Sequence, residues 1–155
     1  MINESKSGLN HDNARTSEQR ALMAKIEADG VCPFCAEHFK KYHPKPTLKE
    51  TDYWFVTTNM SPYEGTEHHF LFVYKPLHAT LPKEIAPEAL VDLFACMEWL
   101  MDEYNIPGAS FFTRFGDTRY TGSSVEHLHA HLLVGGPKSD DTESLKVTLG
   151  NKKIA

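Results

Sequence analysis

Two hydrophobic periods divide the chain. Between Pro87 and Gly108, apolar side chains recur every three or four positions, at Leu90, Leu93, Phe94, Met97, Leu100, Met101 and Tyr104. That spacing lines one side of an α-helix, with Pro87 suited to its first turn and Pro107 with Gly108 closing it. Elsewhere the apolar runs are short and rich in aromatic and β-branched residues: "DYWFVTTN", "HFLFVYK", "ASFFTRF" and "VEHLHAHLLV", with a weaker "LKVTLG" after the polar loop "GGPKSDDTES". These predict five strands. The second run is apolar on both faces, so it belongs in the middle of the sheet. The connection "FGDTRYTGSS" is too short for a helical crossover, which makes the third and fourth runs antiparallel neighbours. Upstream, "TSEQ" fits a capping box that starts a helix over Ser17–Asp29, stopped by Gly30. A short helix begins near Pro33 and ends by His43, ahead of Pro44 and Pro46. Residues 1–15 carry almost no apolar anchor and read as a mobile tail, leaving residues 16–155 as a single domain. The order of elements predicts an α+β fold: a mainly antiparallel sheet, one long helix and a short helical N-terminal segment.

Composition adds exclusions. The 155 residues are 41% hydrophobic and 24% charged, as in a globular protein. A net charge of −5 provides no positive field for a nucleic acid polymer, although a small anionic ligand in a local pocket stays allowed. The longest apolar run, "FLFVY", is too short to cross a bilayer, and the opening stretch lacks the apolar core of a secretory signal. No membrane partner is expected, and a cytoplasmic protein is. Three cysteines make a poor disulfide framework. Cys96 falls within the helical period and reads as a small buried hydrophobe. Cys32 and Cys35, in "CPFC", admit a redox pair, half of a metal site or two buried thiols.

The densest chemistry lies in "EHLHAHLL", where His127, His129 and His131 alternate with Leu128, Ala130 and Leu132. On a strand, residues two apart share a face at a spacing of about 6.7 Å, so the imidazoles form a row. Such a row suits a solvated edge, a metal site, or nucleophilic catalysis in which one neutral imidazole attacks and its neighbours bind the developing charge. Just before it, Gly122, Ser123 and Ser124 form a turn with hydroxyls and backbone donors suited to phosphate oxygens.

"SSVEHLHAHLL" resembles the signature of the histidine triad (HIT) superfamily of nucleotide hydrolases and transferases, His-φ-His-φ-His-φ-φ with φ apolar, at all seven positions. The likeness runs from "CPFC" to "HLLVG" and includes "NMSPYEGTEHHFLFVYKPLH". It implies a five-stranded antiparallel sheet with the long helix packed on it. It also implies that His129 is the nucleophile, forming a covalent nucleotidyl-histidine. His131 then suits phosphate binding or support of the nucleophile, and Ser124 the bridging or leaving-group oxygen. Asn59 matches the ribose-contacting turn and His69 a further active-site histidine, with His68 its adjacent competitor. Ser123, where Gln is common in the family, and Arg114 stand as nucleotide or phosphate ligands, with Arg119 a second candidate. By the same resemblance Cys32, Cys35, His78 and His127 form a closed, structural zinc site.

The expected substrate is a small nucleotide bearing a phosphoanhydride or phosphoramidate, with a dinucleoside polyphosphate such as diadenosine tetraphosphate favoured. Many proteins of the superfamily are dimers, so a homodimer is admitted. Two other readings compete: a zinc hydrolase whose metal sits on the histidine row itself, and a nucleotide-binding module without turnover.

Overall fold

A computed structural model describes residues 8–155. Helix α1 (Ser17–Asp29) opens on Thr16, whose side chain accepts from the Gln19 N–H, and closes on Gly30 in the left-handed conformation. Helix α2 (Ala36–Tyr42) follows the cysteine turn. Then come strands β1 (Thr47–Glu50), β2 (Trp54–Thr58) and β3 (His68–Tyr74), helix α3 (Pro87–Glu103), strand β4 (Ser110–Thr113), the single turn α4 (Thr118–Thr121) and strand β5 (His129–Val134). The strands form one antiparallel sheet in the order β1-β2-β3-β5-β4. The fold is α+β with a five-stranded antiparallel sheet, and β3, the doubly apolar run, is its middle strand.

Period-two alternation sorts the two faces. Trp54, Val56, Phe70, Phe72, Tyr74, Ala130, Leu132 and Val134 point to α3 and pack with Leu93, Cys96, Met97 and Leu100 in the main core. Burying each large apolar side chain of this kind contributes roughly 1.5–3 kcal/mol. Two polar tips in this core are satisfied: Trp54 Nε1 donates to Ala89 O at 2.8 Å, and Tyr74 Oη accepts from Ala86 N–H at 3.1 Å. These bonds pin the start of α3 to the sheet. On the opposite face, Phe39, Phe55, Leu71 and Val73 make a smaller cluster, and Leu9, Ala14, Met23, Ile26, Tyr42 and Val125 form another beneath α1. No helix among the described residues is long and apolar enough to cross a membrane.

Four expectations change. "LKVTLG" forms no strand; the fifth strand is β1, paired with β2 through a register shift between Thr47 and Lys49. The alternating apolar residues of "LKVTLG" find no sheet face: Leu145, beside Gly65 and Gly135, and Leu149 stay exposed, and Val147 is only half-buried. β5 begins at His129, so His127 lies ahead of the ladder and the histidine row spans the end of a strand. On α3, Leu90 and Phe94 are exposed, because the sheet takes the stripe of Ala89, Leu93, Cys96, Met97 and Leu100. Finally, of the expected mobile tail over 1–15, residues 1–7 lie outside the described residues, while residues 8–15 pack against α1 and the segment leading into β5. Leu9 bridges Val125, and Leu9 and Ala14 are buried.

Candidate functional site

Three segments converge on one corner of the fold: the turn between α1 and α2, the residues after β3, and the residues before β5. They bring Cys32, Cys35, His78 and His127 together, with one ligand atom from each lying within 4.8 Å of all the others. Cys32 Sγ is 3.5 Å and Cys35 Sγ 3.6 Å from His127 Nδ1, Cys35 Sγ is 3.5 Å from His78 Nδ1, and the two Nδ1 atoms are 3.3 Å apart. A tetrahedral centre with zinc's bond lengths, about 2.3 Å to sulfur and about 2.05 Å to nitrogen, has S···N edges near about 3.6 Å and an N···N edge near about 3.3 Å. The donor set fits such an ion. His127 is also in the right tautomer, since its Nε2–H donates to Tyr74 O at 2.7 Å and leaves Nδ1 free to ligate. Burial pushes the Cys35 thiol up to about 12, with the Cys32 charge adding to it, and raises Cys32 as well. Burial also lowers His127 to about 4. Without an ion the cluster is two protonated thiols and two imidazoles; with one, the thiols must ionise.

One step along, the chemistry changes. His129 Nδ1 donates to the His127 carbonyl at 2.7 Å, so its Nε2 carries the lone pair and faces the pocket. Phe34 meets this ring edge-on at 4.9 Å between centroids. Burial pushes His129 down to about 4, so the imidazole is neutral at ordinary pH.

Register carries the chain of donors further. Leu71 pairs with His131 and His69 with Leu133, which puts both histidines on the same face as His129. The Tyr63 N–H donates to His69 Nδ1 at 3.2 Å, so His69 carries its proton on Nε2 and donates it to His131 Nδ1 at 2.8 Å. His131 is thereby left with an Nε2–H donor, 3.5 Å from the Arg114 Nη1 donor. Two donors converging on one point suit an anion. Burial, reinforced by the Arg15, His129 and Arg114 charges, holds His69 down to about 3; burial and the neighbouring cations hold His131 well below its ordinary value.

No family model matches the sequence, and no curated protein matches it. Solved structures do. The chain is similar to a HIT family hydrolase from Clostridium thermocellum, with a TM-score of 0.51 at 23% identity over 68% of this chain and 90% of that one. It is also similar to a hypothetical histidine triad nucleotide-binding protein from Sulfolobus tokodaii, with a TM-score of 0.51 at 20% identity over 79% of this chain and 82% of that one. The chain has the histidine triad fold.

Within that fold, most residues expected from the sequence meet. His129, His131, Asn59, Arg114, Ser123 and Ser124 line one pocket, and His69 stands behind His131. Asn59 Oδ1 accepts from the Ser61 N–H at 2.8 Å, which shapes the turn beside the site. Between the adjacent histidines His69 faces the site, while His68 stacks on Phe70 and lies edge-on to Tyr104 near α3. Ser123 lines the pocket, and its hydroxyl donates to Val125 O at 2.7 Å, which braces the turn. Arg119 pairs with Asp117 and does not line the pocket.

The site residues missed are Asn13 and Arg15 in the supposed tail, Gln19 in α1 and Tyr63 in the turn after β2. Asn13 Nδ2 donates to Ser123 O at 2.7 Å and to Thr118 O at 3.1 Å, clamping the serine turn. Gln19, expected to reach back to Thr16, instead accepts from the Arg15 N–H at 3.0 Å and donates to Ser124 Oγ at 3.2 Å. Arg15 lies over the Tyr63 ring at 4.4 Å from its centroid and donates to the Ser61 and Pro62 carbonyls. Leu9 and Ala14 were the only local signals of this packing, and two small anchors do not raise a periodicity.

Proposed function

We propose that this chain is a nucleotide hydrolase or nucleotidyltransferase that cleaves a phosphoanhydride or phosphoramidate through a covalent nucleotidyl-histidine on His129, with a dinucleoside polyphosphate the favoured substrate. The observation that carries this reading is the His129 tautomer. Its Nδ1 proton is held on the His127 carbonyl at 2.7 Å, so a neutral Nε2 lone pair is presented to a pocket that also holds Arg114 and the His131 Nε2–H. In the first step the Nε2–P bond forms and the bond from phosphorus to the leaving group breaks, with Ser124 Oγ–H at hand to donate to the departing atom. Water or another acceptor then attacks the phosphoramidate and restores His129. As charge grows on the phosphoryl oxygens, Arg114 and His131 meet it with donors already in position. Asn59 is the ribose ligand in this reading. The similar structures, a hydrolase and a nucleotide-binding protein by name, agree with it.

Zinc fits the Cys32, Cys35, His78 and His127 cluster, where it would tie the cysteine turn to the catalytic strand and contribute on the order of 10 kcal/mol to folding. That assignment weighs against a catalytic metal on the histidine row, because His127 aims Nδ1 at the cysteines while His129 spends Nδ1 on a carbonyl. The reduced thiols suit a cytoplasmic setting. A homodimer is supported by Leu90, Val91, Phe94 and Phe111, all exposed on α3 and the edge strand β4. Sedimentation should then give a dimer that Phe111→Glu dissociates; a wild-type monomer at tens of micromolar rejects it.

The decisive experiment is to trap a radiolabelled adenylate on the protein after acid-free quenching. Label that is acid-labile, and absent from His129→Ala at unchanged zinc content, is the expected result. A wild-type chain left unlabelled by diadenosine tetraphosphate and adenosine 5′-phosphoramidate alike would favour the binding module instead.

A further inference from the structure

The pocket beside His129 carries more positive charge than one phosphoryl group calls for. Arg15 and Arg114 both line it, and none of the lining residues is Asp or Glu, in a chain whose net charge is −5. Among the described residues, neither arginine has a carboxylate within ion-pair distance. Both guanidinium groups are built around one side chain. Arg114 Nη1 donates to Tyr63 Oη at 3.0 Å, and Arg15 lies on the face of that ring. Their remaining partners are neutral: Thr148 O for Arg114, Ser61 O and Pro62 O for Arg15. Arg114 Nε is buried with no hydrogen-bond partner among the described residues. Keeping two like charges in a partly desolvated site is unfavourable unless an anion answers them. Arg15 sits exposed at the rim of this pocket, yet burial still lowers its pKa, with Tyr63 opposing and Arg114 adding to the fall.

An attacked phosphoryl group at His129 is already met by Arg114 and the His131 Nε2–H. Arg15 is one contact further on, at the face of Tyr63 instead of its hydroxyl, and it comes from the N-terminal segment instead of the sheet. We propose that Arg15 is a specificity-determining residue that binds a phosphate of the leaving group, so that the substrate class is a nucleoside phosphoanhydride with at least one phosphate beyond the one attacked, in preference to a phosphoramidate. This rests on the reading of His129 as the site of attack. It also explains why residues 8–19 are tied to both substrate-facing turns, by Arg15 to Ser61 and Pro62 and by Asn13 and Gln19 to Ser123 and Ser124.

Binding calorimetry on the full, zinc-loaded chain tests the proposal without turnover, using AMP and the uncleavable α,β-methylene analogue of ATP as probes. Arg15→Met keeps an apolar stem over Tyr63 and removes the charge; Arg15→Lys keeps the charge without the fork. Losing a charge-assisted hydrogen bond to phosphate weakens binding by roughly 10- to 100-fold. Arg15→Met should therefore weaken the triphosphate analogue by that factor, at least tenfold more than it weakens AMP, with Arg15→Lys in between. Equal losses for the two probes would mean that Arg15 only holds the turn at Ser61, and no loss for the triphosphate would mean that it binds nothing; either overturns the proposal. The His129 reading fails separately, if no labelled nucleotide appears on the protein while the probe ratio holds.

Discussion

Acidification should unfold this protein well above the carboxylate range, because its site is built from buried neutral histidines. An unfolded histidine titrates near about 6.5, while burial holds His129 at about 4 and His69 at about 3 in the folded chain. Each folded-state pKa lies below the unfolded one, so between those values the unfolded chain binds more protons and stability rises with pH. The stabilisation is complete above about pH 6.5 and is withdrawn as pH falls toward the folded values. Each such histidine contributes a slope of about 1.4 kcal/mol per pH unit inside its window. Two of them remove about 5 kcal/mol over two units below 6.5, comparable with the entire stability of many domains.

His129→Asn isolates one of these slopes. An asparagine amide can replace Nδ1 in donating to the His127 carbonyl, yet it does not titrate. Thermal unfolding of wild type and variant, followed from pH 7.5 to 4.5 with zinc held saturating, should give two curves that converge as pH falls. For a chain of this size 1 kcal/mol moves Tm by about 2–4 °C, so wild type should lose roughly 3–6 °C more per pH unit than the variant below pH 6. Parallel curves would refute the reasoning, whatever the offset between them, since an offset reports packing and only the slope reports the proton.

Two further outcomes follow from the same geometry. Cys32→Ser removes one of four ligands and should drop bound zinc from about one per chain to a small fraction, with a loss of several kcal/mol in stability; metal analysis together with denaturant unfolding reads both. Full zinc retention in that variant would place the ion elsewhere. Asn13→Ala deletes two hydrogen bonds to the serine turn at 2.7 and 3.1 Å. It should cost about 1–3 kcal/mol, lower Tm by roughly 2–12 °C, and reduce kcat/KM more than Tm alone explains, because the turn that carries Ser124 loses its brace.

What was legible in the sequence depended on whether a pattern repeats. α3 announces itself because burial against the sheet recurs every 3.6 residues, strands β2 to β5 because each is a short run of aromatic, β-branched and other apolar residues, and the histidine row because one residue type returns at every second position. β1 does not repeat: "TLKE" is four residues with a register shift, held at the edge of the sheet by pairing with β2 and by the single apolar anchor Leu48. The N-terminal segment is harder still. Leu9 and Ala14 are too few to form a period, and its fixing comes from side-chain amides of Asn10, Asn13 and Gln19 on backbone and side-chain groups more than a hundred residues away. Polar residues of this kind look the same in a solvated tail as in a clamp, and only the carbonyls they meet separate the two.

The histidines themselves show why a shared face need not mean a shared task. A ring nitrogen's role is set by the acceptor or donor that its other nitrogen meets, and that partner differs at each position. His127, ahead of the ladder, meets the Tyr74 carbonyl with Nε2 and turns Nδ1 to the cysteines. His129, first in the strand, meets the His127 carbonyl with Nδ1 and turns Nε2 to the pocket. His131 receives a proton donor from His69 at Nδ1 and offers Nε2–H beside Arg114. In the proposed reading the start of β5 thus divides ligand from nucleophile, and the His127 carbonyl joins them: anything that shifts the metal corner would also move the acceptor that orients His129. Loss of metal should therefore lower the rate before it unfolds the chain, and chelation at a temperature well below Tm, with turnover and near-ultraviolet circular dichroism followed together, should show the activity falling first. Simultaneous loss of both signals would mean that the metal corner supports the fold without steering the imidazole.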